Sequence, residues 1–349
     1  MTGPSSALQG DGTGVVRRRA MAVLFAAALL APLPLSSIPL KDVTRAVAMT
    51  LAVLGVNLMA GFVGRVALGH GAFVGAGAYT TIILSADHHW SMLATVPAAA
   101  MVGFLIGLVV GVPALRIRGL HLALVTLAVG ASFGPIVKRL GSLTNGPNGK
   151  LSNASWDAPS WFGESRDANG RWIYLTVLAV AVVVFVLVHN LTTGRVGRSL
   201  VALRDGEIAA ITSGVPVSRY SIAMFGCSAA VASIGGALMM IQTPYATLTA
   251  YEPSLSLYLY AAATVGGLAS ISGAIVGGIL LAGVPYATAR YGIHLDDSVV
   301  FGLALLASVT LFPGGISSVF VRRREERSAA KHAAAGRPPA GPAGPDMTG

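Results

Sequence analysis

TRAVAMTLAVLGVNLMAGFVGRVALGHGAFVGAGAYTTIILS, residues 44–85, consists of two apolar runs, 44–63 and 66–85, separated by Gly64 and Arg65. A helix needs about 20 apolar residues to cross a hydrocarbon core, so each run is long enough to span, and Arg65 falls in the turn between them. The second run holds Gly69, Gly71, Gly75 and Gly77. Glycine costs about 1 kcal/mol against alanine in a soluble helix, yet it is favoured where membrane helices approach closely. This stretch reads as membrane protein.

Outward from it, runs of the same kind fall at 20–40, 92–113, 119–137, 172–191, 222–241, 255–268, 272–289 and 299–312. The expectation is an all-α, polytopic transmembrane helical bundle of about ten spans, with nine to eleven acceptable. The run at 255–268 is short and that at 66–85 is dense in glycine, so either could be broken or re-entrant. Composition agrees: 54% of residues are hydrophobic, 11% are charged and 43 are glycine. A soluble domain carries roughly 25% charged residues. Arg17, Arg18 and Arg19 before the first run resemble a secretory signal. The chain continues Leu29-Leu30-Ala31-Pro32, however, with proline directly after the candidate cut, and 20–40 is expected to stay as an uncleaved span.

Charge sets the orientation. With the N-terminus inside and ten spans threaded, sixteen of the 24 Lys and Arg fall on the inner side, with six of the 14 acids. The whole formal charge of +10 then sits on one face, as the positive-inside rule requires, and both termini are cytoplasmic. The expected organisation is a basic N-terminal segment at 1–19, a transmembrane domain at 20–315, and a disordered Ala-, Gly- and Pro-rich tail at 316–349. Two loops are long: 139–171 faces outward and 192–221 faces the cytoplasm. Basic residues spread over short loops suit insertion and anionic lipid, not nucleic acid. The setting is a plasma (inner) membrane.

No catalytic constellation is present. The seven histidines are scattered, without HExxH or paired carboxylates, and His88-His89 beside Asp87 reads as a solvated turn, so no metal is expected. The single cysteine, Cys227, excludes an internal disulfide. No acid lies mid-span, which removes the usual proton relay of a self-sufficient pump. No GxxxxGK[ST] loop occurs, so the chain carries no cofactor and any ATP would be used by other subunits.

Within 192–221, Leu200, Leu203, Glu207, Ala210 and Ile211 recur at helical spacing until Gly214 and Pro216 stop the helix. A short cytoplasmic helix projecting from a bundle suits docking into a soluble partner. The alternative is a helix lying on the membrane surface. Glu207, Ala209, Ala210 and Gly214 resemble the Glu-Ala-Ala, three residues, Gly signature of ABC-importer coupling loops, with Ile208 as one extra residue inside it. Four more blocks, in order, resemble the permeases of branched-chain amino-acid importers, the second (M) type most closely: the glycine-rich stretch at 57–79, Leu115-Arg116-Ile117-Arg118-Gly119, Thr144-Asn145-Gly146-Pro147-Asn148-Gly149, and Val265-Gly266-Gly267-Leu268-Ala269-Ser270. That family usually carries Gln and Ser where this chain has Arg65 and Ala67.

The resemblance implies a non-enzymatic permease subunit that moves leucine, isoleucine or valine by alternating access. It implies a paralogous permease as heterodimer partner, two cytoplasmic ATPases and an extracytoplasmic solute-binding protein. Coupling to the ATPase is expected at Arg204, Glu207, Ala209, Ala210 and Gly214. The translocation path is expected along Asn57, Gly61, Gly64, His70, Gly71 and Gly75, because glycines expose backbone that a membrane tolerates only beside protein or a water-filled cavity. Urea or short amides are the alternative solutes. A solute channel and a sodium-coupled carrier built on broken helices are the alternative mechanisms.

Overall fold

The computed structural model describes residues 37–291 apart from 116, 118, 155 and 164, together with 299, 302 and 303. The basic segment 1–19, most of the runs at 20–40 and 299–312, and the tail 316–349 lie outside the described residues. What remains is all-α apart from one two-residue strand pair.

The long helices follow the apolar runs. They are α1 (Ser37–Asn57), α2 (His70–Asp87), α3 (Thr95–Ala114), α4 (Leu120–Arg139), α6 (Arg166–Thr193), α9 (Val217–Gln242), α10 (Pro253–Gly266) and α11 (Ile271–Tyr291). Three short helices complete the set: α5 (Gly141–Thr144), α7 (Arg195–Asp205) and α8 (Glu207–Thr212). Among the described residues, five helical segments are long and apolar enough to cross a membrane: Leu40–Val63, Thr95–Ala114, His121–Arg139, Arg166–Thr193 and Val217–Gln242. This is a multi-pass membrane protein. The boundary between the first two apolar runs is corrected, because α1 is helical straight through 41–43, where the turn between them was expected.

Helices α1 and α9 form the centre. α9 packs on α1, α2 and α3, while α1 also packs on α6, α10 and α11. Small residues allow this closeness. On α3, Gly103, Gly107 and Gly111 lie four apart and face Ser233, Ala229 and Phe225 of α9. A Cβ on Gly77 of α2 would overlap the carbonyl of Ser233, and one on Gly236 of α9 would overlap that of Val74. At these two positions the backbones touch directly, with dispersion contacts between main chains. The outer helices show apolar faces instead: Val109 of α3, Leu124 of α4 and Leu187 of α6 are exposed, a surface suited to hydrocarbon.

The two ends of the bundle are distinct. At one end, Lys150 Nζ lies 2.6 Å from Asp87 Oδ2, strand β1 (Lys150–Leu151) pairs antiparallel with β2 (Tyr245–Ala246), and Gln242 bonds the Lys41 carbonyl. Asn145, left-handed at φ 61°, turns the chain there and donates from Nδ2 to the Gly149 carbonyl at 2.8 Å. At the other end, Arg65 meets Leu115 and Glu207. The charge pattern assigns each of these groups to a single side.

Candidate functional site

The glycine-rich block is a broken helix. After Asn57 the chain widens into a π-helical turn, Leu58–Val63, closed by Gly64 at φ 77°. A β-carbon would be strained in that left-handed conformation. Residues 64–69 are then non-helical, and α2 starts afresh at His70.

A break inside a bundle leaves backbone groups that must find partners. Leu68 N–H donates to Thr126 Oγ1 of α4 at 2.9 Å, and Gly71 N–H donates to Ser256 Oγ of α10 at 2.9 Å. Thr126 and Ser256 are both fully buried. They are the residues that sequence reading missed, since a hydroxyl in an apolar run carries no signal of what it will satisfy.

The expected path residues divide by what they touch. Asn57 is buried and holds the turn between α10 and α11: Nδ2 donates to the Ser270 carbonyl at 2.7 Å, and Oδ1 accepts from Ala269 N–H at 2.7 Å. Ala269 needs that support because its φ is +59°. Gly61 makes room for it, since any Cβ there would overlap Asn57 Oδ1 and Ala269 N. His70 is also buried, with Nε2 at 3.2 Å from Ser228 Oγ and Nδ1 at 3.2 Å from the Ala67 carbonyl, and its ring meets Phe73 edge-on. Gly71 sits against Ser256. Gly75 faces Phe133 and Tyr251, which form a trio with Tyr79 at ring-centroid separations of 6.0–6.4 Å. Burial pushes the Tyr251 phenol above its ordinary range, and the neighbouring Tyr79 adds to the shift.

The loop at 192–221 is helical, as its spacing predicts, but split in two by Gly206. Leu200 and Leu203 are buried beneath α7. α8 ends in a Schellman closure: Gly214 N–H donates to the Ile211 carbonyl and Val215 N–H to the Ala210 carbonyl, each at 3.0 Å, with Gly214 at φ 80°. Ala210, one of the expected coupling residues, is 1% exposed and packs into this chain's own core. The exposed apolar residues of α8 are Ile208, 80% exposed, and Ile211, 53% exposed. The Ala209 side chain lies outside the described residues.

Break and loop meet. A Cβ on Gly64 would be 3.1 Å from Cγ of Arg204, and Arg65 Nη2 lies 3.3 Å from Glu207 Oε1. Among the described residues no three His, Cys, Asp or Glu gather as metal ligands. The arrangement joins an irregular, polar-lined step in the bundle to an exposed two-helix loop.

The sequence profile described as "branched-chain amino acid transport system / permease component" matches residues 39–309. The chain is similar to the high-affinity branched-chain amino acid transport system permease protein LivM of Salmonella typhimurium, 28% identical over 301 residues, covering 80% of this chain and 71% of that one. Its likeness to LivM of Escherichia coli is of the same extent. LivH of Salmonella typhimurium is 26% identical over 298 residues, covering 79% of this chain and 93% of that protein. No solved structure matches it. The matched stretch takes in the broken helix, the α7–α8 loop and the turn that Asn57 holds, and on that span the chain belongs to the branched-chain amino acid transport permease family.

Proposed function

We propose that the chain is the permease subunit of an ATP-driven importer that carries leucine, isoleucine and valine across the plasma membrane. It has ten spans and cytoplasmic termini, and pairs with a paralogous permease. Two cytoplasmic ATPases dock on the α7–α8 loop, and an extracytoplasmic binding protein delivers the solute at the Lys150 end. The family match carries the solute class. The observation that carries the coupling is the exposed pair Ile208 and Ile211 on a short helix at the Arg65 end, because apolar side chains projecting there into water have something to gain from a groove.

The broken helix supports alternating access: non-helical backbone at depth suits the side of a translocation path. The test is uptake of labelled leucine by proteoliposomes holding the assembled complex, with ATP inside and binding protein outside. The expected result is accumulation that stops when either is omitted. Uptake that is indifferent to ATP would leave a channel, and uptake of urea in place of leucine would reassign the solute.

A further inference from the structure

We propose that Arg65 is a positioning residue, a strut that carries displacement of the inner loop into the broken helix. It rests on the reading of α7–α8 as the ATPase-contacting loop. Three elements end within reach of this one residue. Its backbone N–H donates to the Met59 carbonyl on the π-helical turn at 3.1 Å. Its Nη1 donates to the Leu115 carbonyl at 3.1 Å, where α3 has just ended. Its Nη2 pairs with Glu207, the first residue of α8, at 3.3 Å.

A guanidinium presents its donors in a rigid planar fork, so holding two acceptors at once fixes the distance between the groups that carry them. The ion pair is partly sheltered, with side chains 15% and 28% exposed, and is screened less than a pair in open water. The neighbouring residue reinforces the tie, because Gly64 brings bare backbone against Arg204 of α7.

The far end of the break is anchored elsewhere. Leu68 is held by Thr126 of α4, and Gly71 by Ser256 of α10. Residues 64–69 therefore run from α3, α7 and α8 at one end to α4 and α10 at the other, with no helix of their own to resist a change of shape. Coupling between sites needs a contiguous set of contacts ending on an element that can rearrange. Arg65 supplies the contact and the non-helical stretch supplies the element. A pull on α8 reaches the start of α2 by way of this residue.

The experiment measures leucine uptake and ATP hydrolysis together in proteoliposomes of the assembled complex. R65Q should keep abundance and ATPase co-purification, yet lower the leucine moved per ATP by about fivefold or more, the lower bound of a typical coupling energy. R65K, which keeps the charge but loses the fork, should fall between R65Q and the unsubstituted protein. R65Q combined with E207Q should have a ratio no lower than E207Q alone, as expected of groups acting through one contact. An unchanged ratio in R65Q, additive losses in the double variant, or uptake that falls only in step with abundance would each overturn the strut. Failure of the importer reading looks different: the unsubstituted chain would then show no ATPase association or ATP-dependent uptake, before any variant is made.

Discussion

Asn57 has both ends of its amide committed, 210 residues or more away in sequence, to the carbonyls of Gly267 and Ser270 and the N–H of Ala269. Leaving one buried polar group unpaired costs about 1–3 kcal/mol. Asn57→Ala should therefore lower folded abundance and thermal stability in detergent. Asn57→Asp, which loses the donor, should do no better. A solute ligand would behave otherwise, with normal abundance and an altered KM for leucine, and that split decides between the two roles. From sequence, Asn57 reads as a lone amide in an apolar run, with nothing to point at a turn so distant along the chain. Gly214 was legible by contrast, because glycine followed two positions later by proline marks the end of a helix from local information alone.

At the scale of elements, α8 is six residues long, less than two full turns, and its periodicity cannot decide which residues face out. The alanines entered through the Glu-Ala-Ala signature, and spacing alone set Ile211 beside Ala210 without saying which of them is exposed. With Ala210 buried, Ala210→Trp should overpack the core and reduce abundance. Ile208→Asp should leave abundance unchanged and weaken ATPase co-purification by about thirtyfold, taking about 2 kcal/mol for an exposed anchor that becomes buried on binding. Gly214→Val has open space around it and should cost only the left-handed backbone, roughly 1–2 kcal/mol. Pull-down of the ATPases, normalised to permease abundance, checks all three. Agreement of Ala210→Trp with Ile208→Asp at normal abundance would return the docking face to the alanines. The long helices were far more legible, since 20 apolar residues in a row leave few alternatives. Their ends shifted by several residues, as at Arg166, where Ser165 caps α6 by accepting from Ala168 N–H at 3.1 Å.

Across the whole molecule, the fold class was readable because so few charges are present and the apolar runs between them are so long. The pairing of helices was not, since any apolar face can pack on any other. The two ends make a direct prediction. A single cysteine at Asn148 should be labelled only from outside intact cells and one at Arg198 only from the cytoplasm, both with membrane-impermeant maleimide. Labelling of both from one side would require the spans to be rethreaded. The direct backbone contact of α2 with α9, at Gly77 and Gly236, has a mechanical meaning as well. Backbone set against backbone there, with His70 tied to Ser228 and Ser233 to Phe73 across the same seam, leaves little room for one rod to shift past the other. Together with α3, whose glycines seat it on the same helix, they form one closely packed block. Any change of shape during transport is expected at the margins of that block, not within it.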